Sequence, residues 1–310
     1  MNWKIPHILV CFSLLACIVP GCLDEDGFER IVLVDDMGQE IRLNATPRRL
    51  IALTPALTEI VFLLGCGDRL VGIDSDSNYP AEAASIEKVS SWQGLNTERI
   101  VVIDPDLIFM DRTLDASGDR YDTLKGLGLP VYRIYPQDMD GLISTIDDIS
   151  LILDVHQKGR EVSDALSDRI EAVSSSAKDD PAPAPKVLHV VYFDGSSDPW
   201  VMTSSTFSGD MVGIAGGENA VSDGTGISVQ VSIEMIIASD PDIIICSQSP
   251  LWPTRSRELL MSDEAMKDVS AVKGGFVRDI DADIIDRTGP RLVSGLEEMR
   301  SIISEYHTGG

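Results

Sequence analysis

One short acidic motif occurs twice in the chain, each time in the same setting, and it limits the fold more than any other feature. Glu98-Arg99-Ile100 leads to Asp104-Pro105-Asp106-Leu107-Ile108, and Glu234-Met235-Ile236 leads to Asp240-Pro241-Asp242-Ile243-Ile244. In each copy a short helical pattern precedes an Asp-Pro-Asp turn, and an apolar strand follows it. Solenoid repeats recur every ~20–50 residues. These copies lie much further apart, so they mark two similar lobes. Each copy also carries a Glu at the start of its helix. One reading is ordinary: an acidic residue in the first turn suits the helix dipole. The other is that Glu98 and Glu234, exposed at matched places on two lobes, form a paired docking surface.

The rest of the chain supports two lobes. Its 310 residues, 44% hydrophobic, suffice for a large core in two domains. Arg49–Leu53 reads as a strand, Thr54 as an N-cap and Pro55 as the first residue of a helix that ends at Gly65. Leu70–Ile73 is the next strand, which gives a βαβ unit with parallel strands. Before it, Ile31–Val34 and Glu40–Leu43 alternate around Asp35-Asp36-Met37-Gly38 as a hairpin. Further strands are expected at Leu107–Met110 and Val131–Ile134, and amphipathic helices at Asp140–Leu153 and Val155–Ala177. Alternating prolines from Pro181 to Pro185 form a stiff spacer and mark the lobe boundary. The second half repeats the scheme. Strands are expected at Val187–Tyr192, Ile243–Cys246 and Phe276–Ile280, and Ser208 is expected to cap a helix. A closing helix runs from Pro290 to Glu305 with Leu292, Leu296, Met299 and Ile303 on one stripe. The expected units are a targeting segment (1–23), an N-terminal lobe (31–153), an inter-lobe helix (154–180) and a C-terminal lobe (185–308).

Residues 1–23 are set apart from the fold. Lys4 and His7 precede an apolar run, and Val19-Pro20-Gly21-Cys22 is similar to a lipoprotein cleavage box with Cys22 as the lipidated residue. An uncleaved anchor is the alternative, because Ile5–Leu23 is long enough to span a bilayer. Either way the remaining chain is expected outside the cytoplasm, tethered through its N-terminus. Its formal net charge of -25 repels nucleic acid and anionic lipid headgroups, so no nucleic-acid partner is expected. Outside the targeting segment only Cys66 and Cys246 remain. Neither has a C-x-x-C partner, and both read as small buried residues.

The usual catalytic signatures are missing. There is no G-x-S-x-G elbow, no P-loop and no G-x-G-x-x-G after a strand. The chain has 4 His; His156 and His189 stand isolated, and a metal cage needs several such ligands. Neither a catalytic residue, a metal nor a resident cofactor is expected. Open α/β sheets bind ligands beyond the carboxyl ends of their strands, which puts the loops after Leu53, Ile73 and Met110 on the functional edge. Trp92 and Trp200 fall in loops, one per half, where each either stacks on a flat ligand or plugs its own lobe. Asp283 and Arg287 flank a loop before Gly289-Pro290-Arg291. Arg287 either clamps an acidic or amide-rich ligand edge or pairs with Asp283 or Asp286.

From about Ile31 onward the chain resembles the substrate-binding proteins of ABC importers for vitamin B12 and iron chelates. The residues that carry the resemblance are Arg49–Gly65, Val71-Gly72-Ile73, Tyr79-Pro80, Ser90–Ile108, Gly216-Gly217-Glu218-Asn219 and Arg287–Arg291. The run S-W-Q-G-L-N-T-E-R-I is especially similar to the vitamin B12-binding member. The resemblance implies a class III periplasmic-binding-protein fold: α/β, with two Rossmann-like lobes, central mostly parallel sheets and one long joining helix. It implies a monomer that delivers a small-molecule ligand to an ABC permease dimer with its ATPase subunits. Glu98 and Glu234 take the places of the lobe glutamates that engage permease arginines. Pro55, Trp92, Trp200, Asp283 and Arg287 match the corrinoid cleft. Asp76, Asp111 and Ser228 stand where the B12-binding member has aromatics, so a related corrinoid, a haem or an iron chelate enters the expectation beside cobalamin. A surface sensor or adhesion module on the same fold is the alternative function.

Overall fold

The computed structural model of the protein describes residues 31–115, 117–222, 228–249 and 255–309. The described residues open on a hairpin, β1 (Ile31–Val34) and β2 (Glu40–Leu43), paired antiparallel. The first half continues with β3 (Leu50–Ala52), α1 (Pro55–Leu63), β4 (Leu70–Asp74), β5 (Lys88–Ser91), β6 (Gly94–Leu95), α2 (Thr97–Ile103), β7 (Leu107–Asp111), α3 (Asp119–Gly126) and β8 (Val131–Ile134). Its six strands form one sheet in the order β6-β5-β4-β3-β7-β8. All pairs are parallel except β5 with β6. Two helices follow, α4 (Met139–Ile152) and α5 (His156–Lys178).

The second half contains β9 (Lys186–Tyr192), β10 (Trp200–Val201), α6 (Phe207–Ile214), β11 (Glu218–Asn219), β12 (Val229–Gln230), α7 (Ile233–Ser239), β13 (Ile243–Gln248), α8 (Ser256–Ser262), α9 (Ser270–Gly274), β14 (Val277–Asp281), α10 (Ala282–Ile285) and α11 (Leu292–Gly309). Its sheet runs β12-β10-β9-β13-β14, with β11 also paired to β9. Two details differ from the sequence reading. The cap of α6 is Thr206, whose Oγ1 accepts from Gly209 N, while Ser208 lies inside the helix and turns to His189. Glu218-Asn219 is a short parallel strand on β9, where no strand is expected from the sequence.

The twofold repeat is visible atom by atom. Both α2 and α7 end on an aspartate in the left-handed region, Asp104 at φ 52 and Asp240 at φ 44. Asp tolerates that conformation better than most residues because its short side chain bonds locally. The following Pro cannot continue the helix. The second Asp of each turn then grips the first strand of its own sheet. Asp106 Oδ2 accepts from Arg48 N (2.8 Å) and Arg49 N (2.9 Å), and Asp106 N donates to Arg49 O (2.8 Å). Asp242 Oδ2 accepts from Lys186 N (2.8 Å), and Asp242 N donates to Lys186 O (2.9 Å). The motif thus sets the strand register at equivalent places in both halves.

Strand alternation divides the core. On β7, Leu107 and Phe109 face one apolar cluster while Ile108 and Met110 face another. On β13, Ile243 and Ile245 join the same first cluster, and Ile244 and Cys246 turn to a third. The first cluster therefore belongs to both halves. It runs from Leu57 and Ile60 of α1 through Leu142 and Ile146 of α4 and Val162 and Leu166 of α5 to Met211 of α6 and Leu296 and Met299 of α11. Each such buried side chain contributes ~1.5–3 kcal/mol. The Arg169–Glu297 pair (2.7 Å) between α5 and α11 is about 40% exposed, and a pair of that kind contributes only ~0–1 kcal/mol. Apolar packing, not surface charge, holds the halves together. The Pro181–Pro185 stretch is likewise fastened: the Asp180 carboxylate accepts from His307 Nδ1 (2.9 Å), Ala182 N (3.1 Å) and Arg300 Nη2 (3.0 Å).

Cys66 and Cys246 are free and buried. No helix of the described residues is long and apolar enough to cross a membrane. Replacing Asp106 or Asp242 with Ala is expected to lower the unfolding free energy by about 1 kcal/mol, the net worth of such hydrogen bonds, and Asn should restore most of it; urea denaturation reads this. Burial, with Asp36 and Asp147 nearby, pushes the Asp148 carboxyl up to about 6 from an ordinary 3.8. The folded state therefore holds a proton that the unfolded chain releases first. Its contribution to stability is complete below about pH 3.8 and lost as pH rises through about 6. Asp148→Asn should flatten that part of the stability profile, measured by denaturation across pH 4–7.

Candidate functional site

The cleft lies where strands of both sheets end. A cavity of about 720 Å³ is lined from the first half by Thr54, Pro55 and Ala56 after β3, Asp111, Arg112 and Thr113 at the end of β7, and Tyr135, Pro136 and Gln137 after β8. The second half supplies Met202, the stretch Ser205–Ser208, Ser228 and the segment Ile285–Thr288 with Leu292. A second cavity of about 310 Å³ shares Pro55, Asp286 and Arg287 with the first and adds Asp76, Tyr192, Ser247, Ser249 and Asp283. This placement follows the rule that open α/β sheets bind at the carboxyl ends of their strands.

Local structure fixes the walls. Thr54 caps α1 through Leu57 N (3.2 Å), which holds Pro55 at the cavity edge. Asp36 of the hairpin accepts from Tyr135 N (2.6 Å) and so fixes the strand end that opens on the cavity. Asp111, 3% exposed, accepts from Thr113 N (2.8 Å), Thr113 Oγ1 (2.6 Å) and, across the cleft, Thr288 Oγ1 (3.4 Å). Burial pushes its pKa upward, and the threonine donors pull against that rise.

The two halves also meet through a polar bridge. Arg287 Nη2 pairs with Asp283 Oδ1 at 2.7 Å, while Nη1 donates to Asn78 Oδ1 at 2.7 Å. Asn78 Nδ2 closes the triangle on Asp283 Oδ2 at 3.0 Å. Of the alternatives left open for Arg287, the observed partner is Asp283. Beside this triangle, Arg291 makes a two-pronged contact with Glu59, Nε to Oε2 at 3.0 Å and Nη2 to Oε1 at 2.7 Å. Its guanidinium also sits 4.3 Å from the Tyr79 ring centroid. Glu59 is 4% exposed; burial pushes its carboxyl upward and Arg291 opposes the shift.

Of the residues singled out from sequence, the large cavity brings together Pro55, Asp111, Ser228 and Arg287, and the small one Pro55, Asp76, Asp283 and Arg287. Trp92 and Trp200 line neither. Trp92, 67% exposed, sits between β5 and β6, and Trp200, 38% exposed, opens β10. Trp200 nevertheless pairs with Tyr192, which lines the small cavity, and stands two residues before Met202, which lines the large one. Cys22 lies outside the described residues. Sequence reasoning missed Tyr135–Gln137, although the strand-end rule applied to Val131–Ile134 points to them. It also missed His189, which is not isolated but buried between the hydroxyls of Ser208 and Ser247. Among the described residues, no group of three or more His, Cys, Asp or Glu is placed to hold a metal ion.

Away from the cleft, Glu98 and Glu234 occupy the same position in α2 and α7, and both are exposed. Asn96 caps one helix through Arg99 N (3.1 Å), and Ser232 caps the other through Met235 N (3.3 Å). Exposed apolar side chains accompany each: Val101 and Val102 in the first half, Met235 and Ile237 in the second.

Such a clamp of two linked α/β lobes with a cleft between strand ends defines a class of binding proteins. The chain belongs to the periplasmic binding protein family, whose model matches residues 50–284. It is 28% identical over 277 residues to an uncharacterized ABC transporter substrate-binding lipoprotein, YvrC, of Bacillus subtilis strain 168, covering 88% of this chain and 85% of that one. It is 26% identical over 263 residues to a vitamin B12-binding protein of Vibrio parahaemolyticus, covering 83% and 89%. Among solved structures, the apo periplasmic heme-binding protein RhuT of Roseiflexus sp. RS-1 superposes with a TM-score of 0.73 at 25% identity, covering 85% and 99%.

Removing one partner of a buried ion pair leaves the other charge uncompensated, at a cost of ~3–5 kcal/mol. Arg291→Ala should therefore cost about 3 kcal/mol at pH 7 by urea denaturation. The loss should shrink in acid, where Glu59 takes up a proton, and in the Glu59→Gln background.

Proposed function

We propose that the chain is the extracytoplasmic, membrane-tethered substrate-binding component of an ABC importer, and that it carries a corrinoid or an iron chelate to a permease dimer with its ATPase subunits. The observation that carries this reading is the inter-lobe cavity of about 720 Å³, in the upper part of the ~300–1,000 Å³ range of small-molecule sites. Its apolar walls, Pro55, Tyr135, Met202, Phe207 and Leu292, suit a large flat ring, and its polar groups come from both lobes. The relatives named for vitamin B12 and for haem support the same ligand class.

Two roles follow for residues outside the cavity. Glu98 and Glu234, one per lobe on equivalent helices, present paired carboxylates for permease arginines, with Val101, Val102, Met235 and Ile237 as apolar contacts around them. Cys22 carries the lipid that tethers the protein. The chain performs no catalytic step of its own and works as a monomer.

Isothermal titration with cobalamin, cobinamide, haem and ferric siderophores tests the ligand reading; binding to at least one is expected, and binding to none would sink it. The double charge reversal Glu98→Lys, Glu234→Lys should abolish ligand uptake by cells that carry the importer while leaving affinity within about twofold, because exposed substitutions away from the cleft rarely disturb it. Uptake that survives the reversal refutes the docking role and favours a surface sensor or adhesion module.

A further inference from the structure

The wall between the two cavities rests on a buried histidine. His189, on β9, is 2% exposed. Its Nδ1 lies 2.7 Å from Ser208 Oγ and its Nε2 lies 2.9 Å from Ser247 Oγ. Ser247 Oγ donates to Asp286 Oδ1 at 2.9 Å, and His189 Nε2 is 3.4 Å from that same oxygen. Ser208 lines the large cavity, Ser247 the small one, and Asp286 both. A neutral ring satisfies the chain in one way. Ser247 spends its proton on Asp286 and accepts from Nε2–H. Nδ1 then accepts from Ser208. The order fixes one carboxylate oxygen of Asp286. Its other oxygen, Oδ2, has no donor among the described residues.

The cations near Asp286 are engaged elsewhere. Arg287 is held by Asp283 and Asn78, and Arg112 Nη1 donates to Asp115 O at 3.1 Å. The oxygens of Asp111 already accept from Thr113 and Thr288. Asp286, which lines both cavities, thus keeps acceptor capacity for a ligand; Asp76, whose Oδ2 likewise has no donor among the described residues, lines the small cavity alone.

We propose that Asp286 determines the specificity of the cleft, selecting a ring whose rim presents N–H or O–H donors and rejecting one whose rim presents carboxylates, and that His189 is its positioning residue, acting through Ser247. The proposal rests on the corrinoid-or-chelate reading and narrows it to an uncharged or cationic, amide-rimmed ring. A carboxylate brought against Asp286 meets a like charge and no donor, whereas an amide N–H gives Oδ2 a charge-assisted bond.

The test uses the full-length protein with two probes, dicyanocobinamide, rimmed by amides, and haemin, which carries two carboxylates. Tryptophan-fluorescence titration gives both affinities, and thermal melts show that each variant folds. Wild type should prefer dicyanocobinamide. Asp286→Asn should weaken it by about 10–100-fold, the range for a hydrogen bond to a charged group, and should leave haemin unchanged or tighter. His189→Gln should shift the ratio of the two affinities in the same direction by a smaller factor, with Ser247→Ala as the second variant should the first fail to fold. A merely structural role for His189 would weaken both probes alike and leave the ratio fixed, and that result overturns the positioning claim. Wild type preferring haemin, or Asp286→Asn changing neither probe, overturns the specificity claim. Wild type that binds neither probe refutes the ligand class on which the proposal stands.

Discussion

The arrangement depends on one apolar layer shared by both halves. Each sheet turns alternate residues to a private cluster and to this common one, so neither half completes its core alone. Leu57 and Ile60 of α1 are buried in the same cluster as Leu296 and Met299 of α11. Everything functional is built above that layer: the strand ends, the cavities they line and the polar bridge from Asn78 and Glu59 to Asp283, Arg287 and Arg291. The bridge contributes geometry more than adhesion. Its charges must be withdrawn from water to pair, which offsets much of their attraction, whereas the hydrophobic layer carries no such cost.

Polar groups around the cleft are held by partners on more than one element. Asp111 leaves β7 and is met by Thr288 from the other half, and Arg287 spends its guanidinium on Asp283 of its own half and Asn78 of the other. His189 extends the pattern inward, because it is buried too deeply to touch a ligand yet fixes the hydroxyl that fixes Asp286. Such preorganisation reduces the ordering a ligand must impose when it binds.

Much of this was legible in the sequence. The repeated Asp-Pro-Asp turn gave the duplication because both its chemistry and its setting recur, and the Thr54-Pro55 start of α1 followed from capping rules alone. Pro55, Asp76, Asp111, Ser228, Asp283 and Arg287 reach the cavities. What escaped is physical in origin. Capping rules rank Ser208 above Thr206, and only packing decides that Ser208 points to His189 and leaves the cap to Thr206. Trp200 read as a loop residue, but it opens a two-residue strand whose pairing with β9 and β12 is not written locally. His189 looked isolated because its partners Ser208 and Ser247 come from distant parts of the chain.

The polypeptide passes from one half to the other along α5, and the stretch after it is stitched to α11 by Asp180. A body joined by a stiff rod laid against a continuous greasy seam has little compliance. Wide jaw-like opening would tear the seam and expose it to solvent, so cargo must enter and leave through small adjustments at the lip, around Asn78 and Arg287. Emptying such a holder calls for leverage applied to both halves from outside.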